Sequence, residues 1–488
     1  MRRLIIVLLV TLVVPSAASA ALILGAPKVD RIKGTKRADL VDVVGGGRDT
    51  VSCRGGRDVV TADSRDRVAR DCEVVTRRIS IDTQRGPGEH QTEVEPTVAA
   101  AGDTVVSVFQ VGRFFNGASE AIGWATSRDA GRTWRSGVLP GLTLAQRPAG
   151  PVERVSDPAV AYDALHSTWL AVSLGVGANS LTNLGVNRSA DGITWTPPVF
   201  VAQARIGSLA YDKEWIGCDN GTTSRFAGSC YVVYSDFVSD RLSVQVSRDG
   251  GATWSASINA SSDAGGDVEG ALPLVQPDGS VTIVFLSGDG VYAVRSGDGG
   301  ATWGPRVGIS PVNGSAPVGF RVPPLPAAAV DASGRLNVVW ADCRFRAPCL
   351  GSDIVLVTST DGVTWTSPRR VPGLGLDRFV PALAADPSRP GRLGLVYYWR
   401  ASGTCGTAAC VGAAYTRSDD GGTTWRASQR LNTRLLQSTW LAATIEGAFV
   451  GDYIGATFAR SAFVPVFALA QPPTRGTKRE AMFSARLP

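Results

Sequence analysis

The chain is poor in histidine and methionine, with two of each among 488 residues. His90 and His166 are too few to build a Ser-His-Asp or Cys-His triad with any redundancy, and both fall in expected loops. No C-x-x-C pair exists, so sulfur or imidazole ligation of zinc is not expected. Beyond the first fourteen residues no apolar run is long enough to cross about 30 Å of hydrocarbon, so no membrane span is expected. Positive charge is not massed either. Lysine and arginine number 49 against 43 acids, a formal +6, and they are scattered without a basic run, which argues against a nucleic-acid partner. The glycines at 45–47 do not sit between a strand and a helix, so no nucleotide fingerprint is present.

What is present begins with Arg2 and Arg3, an apolar stretch from Leu4 to Val14, and the small-residue sequence Ala18-Ser19-Ala20. This is the pattern of a signal peptide over residues 1–20, cut near Ala20, and it predicts a secreted, extracellular protein. Eight cysteines fall in neighbouring pairs: Cys53 and Cys72, Cys218 and Cys230, Cys343 and Cys349, Cys405 and Cys410. In an exported chain this reads as four local disulfides.

Residues 21–76 form a small segment of their own kind. Within it Asp39-Leu40-Val41, Asp49-Thr50-Val51, Asp58-Val59-Val60 and Asp66-Arg67-Val68 recur at steps of 10, 9 and 8. The Gly47-Arg48-Asp49 and Gly56-Arg57-Asp58 repeats resemble a degenerate RTX-type β-roll, in which glycines turn the chain and aspartates hold calcium. The leading Gly-Gly is incomplete and arginines stand between Gly and Asp. The preferred reading is therefore a metal-free roll closed by Cys53–Cys72, with calcium at Asp49 and Asp58 as the alternative. No cofactor is required.

Residues 77–488 repeat one motif six times. Ser127-Arg-Asp129-Ala-Gly131-Arg-Thr133-Trp134 returns from Ser189, Ser247, Ser296, Ser359 and Ser418, two copies being one residue shorter. Ser and Asp can bond local backbone N–H groups, Gly accepts positive φ, and Thr-Trp restarts a strand, so the motif is a hairpin turn. A period near sixty residues with several short strands predicts an all-β propeller of seven blades, with six as the alternative. The strand Arg78–Asp82 is expected to complete the last blade. The six box aspartates are expected to be structural, at the end opposite the functional face.

The Asp boxes resemble the BNR-repeat, sialidase-like superfamily. The resemblance implies an exo-α-sialidase, another glycosidase or a non-catalytic binding propeller. Sialidases use three arginines for the substrate carboxylate, a Tyr–Glu nucleophile pair and an aspartic acid/base. Where their first arginine stands, this chain has Glu93-Val94-Glu95-Pro96. Arg321-Val322-Pro323 looks like that motif but opens the fifth unit.

On the predicted functional face, strand starts and adjoining loops supply the candidates. Tyr453, Asp452, Asp377, Glu269 and Asp212 are candidate catalytic residues. Arg321, Arg378, Arg344, Arg400, Asp342, Glu95 and Asp157 are candidate substrate-binding residues. Glu446 and Glu269 are candidate partners for Tyr453. The expected function is glycoside hydrolysis on an extracellular glycan or glycoprotein by a monomeric protein, with non-catalytic binding of glycan, protein or cation as the alternative.

Overall fold

The computed structural model describes residues 21–261, 268–314, 317–405 and 408–488. The leader expected at 1–20, with its cut near Ala20, lies outside the described residues.

Seven short strands come first: β1 (Ala21–Leu24), β2 (Arg31–Lys33), β3 (Asp39–Val43), β4 (Thr50–Ser52), β5 (Val59–Ala62), β6 (Arg67–Val68) and β7 (Val74–Arg78). β1, β3, β5 and β7 pair in parallel, and so do β2, β4 and β6. The result is a β-solenoid of about three turns with two parallel faces. Its repeat of aspartates has a direct use. Asp58 accepts the Asp39 N–H at 2.7 Å, Asp49 accepts the Asp30 N–H at 2.7 Å, and Asp66 accepts the Asp49 N–H at 3.0 Å. Each carboxylate thus satisfies a buried backbone donor of the preceding coil. Val41, Val51 and Val60 fill the space between the faces, beside the Cys53–Cys72 disulfide.

From β8 (Glu89–Ala101) onward most strands form antiparallel meanders of four. One is Tyr211–Cys218, Cys230–Asp236, Arg241–Ser247 and Ile258–Ser261. Middle strands such as Cys230–Asp236 and Val281–Ser287 are buried throughout, which is why they read as nearly continuous apolar runs. The core lies between adjacent sheets: Leu170, Val172 and Val186 of one meander pack against Ile216, Val232 and Tyr234 of the next. First strands of successive meanders pack side by side in a closed cycle, the last returning to β8. That cycle carries the residues described below.

Each box is the turn between a third and a fourth strand. In the copy at 247, Ser247 Oγ accepts the Gly251 N–H at 2.9 Å, Asp249 Oδ1 accepts the Thr253 N–H at 2.9 Å, and Thr253 Oγ1 donates to Asp249 Oδ2 at 2.6 Å. Gly251 has φ +76°, a conformation glycine alone adopts without penalty. At Asp298 and Asp420 the threonine hydroxyl and N–H bonds outweigh burial and hold the carboxyl down at about 2. These aspartates are occupied by their own turns.

The all-β expectation holds, but the propeller of seven or six separate blades is corrected by the strand pairing. The chain opens as a β-solenoid of about three turns, and that solenoid is not a detached prelude. Strand Glu480–Ala485 pairs antiparallel with β7 and touches β8 at Glu480↔Thr92, while Ser119↔Val155 joins the first meander to the second. One fifteen-stranded sheet therefore takes in one face of the solenoid, the last strands and the first two meanders. The physical reason is that open strand edges recruit neighbours, which a count of repeated turns does not reveal. The closing partner is Thr76–Arg78, with Ile79 N–H donating to Met482 O at 2.9 Å and Ser80 Oγ accepting the Met482 N–H at 2.9 Å, rather than a ladder along the whole of Arg78–Asp82. β7 spans the boundary expected at 76/77. All four expected disulfides are formed.

Candidate functional site

Five first strands share a local irregularity. Glu95, Asp157, Lys213, Gly270 and Val380 have φ of +55°, +45°, +51°, +60° and +46°, and the pairing register slips at each. Four of them are not glycine, and such a residue costs on the order of 1–3 kcal/mol. Three are followed by proline, which removes a ladder donor and marks a bulge. The bulges bring Glu95, Asp157 and Lys213 together on the inner cycle.

Lys213 Nζ bridges two carboxylates, Asp157 Oδ1 at 3.2 Å and Asp452 Oδ2 at 3.0 Å. Arg321 closes on the same Asp452 with both ends of its fork, Nε to Oδ1 at 3.0 Å and a terminal nitrogen to Oδ2 at 2.6 Å. Glu95 accepts the Asp452 N–H at 3.2 Å and the Gln110 side-chain amide. Arg113 and Arg321 lie on the Phe449 ring, 4.2 and 5.2 Å from its centre.

This crowding separates the protonation states. Burial, reinforced by the charges of Asp157 and Asp452, pushes Glu95 up to about 8. Burial acts on Asp452 too, but Lys213 and Arg321 outweigh it and hold the carboxyl down at about 2. Asp212 is raised by burial, with Lys213 opposing, to about 6. Acids whose environments push their pKa values apart are the usual material of acid–base chemistry.

Two cavities meet here. An open cleft of about 430 Å³ is walled by Glu95, Asp157, Asp212, Arg113, Arg154 and Arg321. Behind Asp157 and Lys213, which line both, is an inner cavity of about 170 Å³. Glu214, Trp215, Asp452 and Tyr453 face that inner space. The Tyr453 ring stands edge-on to Trp215 at 5.1 Å, and burial first, then Glu95 and Asp157, raises its hydroxyl well above the ordinary range.

Of the residues singled out in the sequence, Glu95, Asp157, Asp212 and Arg321 converge on the cleft. Asp452 and Tyr453 lie beneath it. The others do not join them. Asp377 accepts the Ser352 N–H at 2.8 Å and lies 3.7 Å from Arg400, while Arg378 is spent on Asp353 and the Gly373 and Leu374 carbonyls. Arg344 is closed on Asp342 at 2.7 Å. Glu269 is exposed on its strand, and Glu446 is exposed 3.8 Å from Arg321. Arg154 and Lys213 were missed. Proline after Glu95 and Asp157 marks their bulges in the sequence, but Lys213 is followed by Glu214 and carries no such mark. Asp49 and Asp58 are buried and capping backbone. The one trio at metal-binding spacing among the described residues, Cys53, Asp71 and Cys72, has its sulfurs tied in a disulfide. No helix among the described residues is long and apolar enough to cross a membrane.

No protein-family model and no curated protein matches the chain. Solved structures that resemble it include a Hadza microbial sialidase, at 19% identity over 63% of this chain and 64% of that one, TM-score 0.41. An α-L-arabinofuranosidase from Fusarium graminearum matches at 16% identity over 70% and 97%, TM-score 0.46. The NanB sialidase from Streptococcus pneumoniae matches at 11% over 84% and 70%, TM-score 0.45. Likeness this remote assigns neither family nor activity.

Proposed function

We propose that the chain is a secreted, monomeric glycoside hydrolase of sialidase-like type, acting on a sugar that carries a carboxylate. One observation carries this reading: three arginines and three acids share the wall of one open cleft, with Glu95 pushed up to about 8 and Asp212 to about 6. Arg154 and Arg321, with Arg113 behind them, hold the substrate carboxylate by charge-assisted hydrogen bonds. Asp212, protonated to about 6, gives its proton to the glycosidic oxygen. Asp157, paired with Lys213 at 3.2 Å, stabilises positive charge developing on the sugar ring. In this reading Tyr453, which lines the inner cavity rather than the open cleft, is not the nucleophile that the resemblance implied.

Hydrolysis of fluorogenic sialosides and uronosides by the purified protein is the test. Asp212→Asn is expected to lower kcat by about a hundredfold or more with an unchanged melting temperature. Equal turnover by that variant sinks the assignment. A second reading, recognition without turnover, is favoured by one observation: the Arg321 fork is already closed on Asp452. Sugar binding with no hydrolysis of any glycoside would select it. Light scattering checks the monomer.

A further inference from the structure

Large apolar side chains stand exposed around the same mouth. Val318 is 96% exposed and Ile445 75%. The two come from segments joined by hydrogen bonds, Ala448 N–H to Gly319 O at 2.9 Å and Arg321 N–H to Ala448 O at 3.1 Å, so they flank the arginine of the cleft. Phe115 is exposed in the loop whose Asn116 and Gly117 line the cleft from the other side. Farther round, Leu350 and Leu376 are exposed together, since a Cβ on Gly351 would lie 3.0 Å from the Leu376 carbonyl oxygen. All five lie in loops that join second to third strands or lead into first strands, which is one face of the molecule.

Charge around Leu350 and Leu376 has one sign in excess. Beside Leu350 and Leu376, Asp353 is shared by Arg346, Arg370 and Arg378, Asp342 pairs with Arg344, and Asp377 with Arg400. Five guanidinium groups against three carboxylates leave two positive charges unmatched. Protruding aliphatic and aromatic tips among surplus arginines suit an interface with acyl chains below and anionic head groups at its level.

We infer that the mouth face docks on an anionic lipid bilayer through Phe115, Val318, Leu350, Leu376 and Ile445, so that the cleft takes a sugar displayed on that surface. The docking stands on the apolar and charged rim alone; the sugar rests on the glycosidase reading above.

Flotation with sugar-free vesicles separates the two. The protein is expected to float with phosphatidylcholine vesicles containing phosphatidylglycerol, and to be released by salt or by omission of phosphatidylglycerol. Val318→Asp/Ile445→Asp is expected to weaken flotation about tenfold or more, because two inserted tips are lost and two like charges are added. Leu165→Asp, an exposed position in a turn at the opposite end, is expected to leave it unchanged. Turnover of a soluble substrate is expected to be the same in Leu165→Asp and the wild type. Absence of flotation, flotation insensitive to the double variant, or equal binding to neutral vesicles overturns the docking. So does loss of binding to a soluble glycoprotein alone, which would identify a protein partner. Flotation without turnover of any glycoside leaves the docking standing and removes the glycosidase reading.

Discussion

Replacing Glu480 by glutamine tests the seam between the solenoid and the rest of the chain. Glu480 begins the strand that pairs with β7 and touches β8, and it is fully buried. One carboxyl oxygen accepts the Ala442 N–H at 2.7 Å, and the other has no hydrogen-bond partner. Burial pushes the group from 4.5 up to about 8. A carboxyl raised in the folded state contributes stability that is fully present below the unfolded value and is lost as pH climbs to the folded one. The window therefore runs from about 4.5 to about 8, at about 1.4 kcal/mol for each pH unit, or about 5 kcal/mol in all. Glu93, buried nearby with its other oxygen bonded to Ser80 and the Met482 N–H, stands at about 7 and adds about 3 kcal/mol in the same direction. Glutamine keeps the acceptor for Ala442 and does not titrate. Urea denaturation at pH 5 and pH 8.5 is the assay. The Glu480→Gln variant is expected to match the wild type at the lower pH and to exceed it by several kcal/mol at the higher one. Parallel stability curves for the two proteins would refute the reasoning, because they would show that Glu480 enters the fold already charged.

Three further outcomes are expected. Asp249→Ala removes the bonds to Thr253 from one box and should cost about 1–3 kcal/mol in urea denaturation, with glycoside turnover or sugar binding untouched. Cys53→Ser/Cys72→Ser opens a loop of 19 residues and should cost about 3 kcal/mol, read as an earlier loss of the solenoid's hydrogen-exchange protection. Arg321→Met leaves the buried Asp452 with Lys213 alone and should cost about 3–5 kcal/mol, while Arg321→Met/Asp452→Leu should recover much of that loss in calorimetric melting.

The sequence was most legible where structure is local. The six boxes, the four disulfides and the Asp-led coils all depend on residues close along the chain, so spacing was enough. The joining of sheets was not legible, since a single pair such as Ser119↔Val155 decides it and carries no motif. At the site, acids at strand starts pointed to Glu95, Asp157 and Asp212. The same rule drew in Asp377 and Arg378, whose partners Ser352 and Asp353 come from the neighbouring meander. Lys213 was hidden for a different reason. Its place is set by a bulge that shifts the strand by one position, and a one-residue shift exchanges which side chain faces inward.

The separations along the chain at that site have a kinetic consequence. Arg321 and Asp452 are 131 residues apart, Lys213 and Asp452 are 239, and Glu95 and Asp452 are 357. Contacts of such span pay their loop-closure entropy before they return any stability, so they form late. The box turns, closed within four residues, form early and independently of one another. Any ligand that needs Arg321, Lys213 and Glu95 together therefore meets only chains that have finished folding.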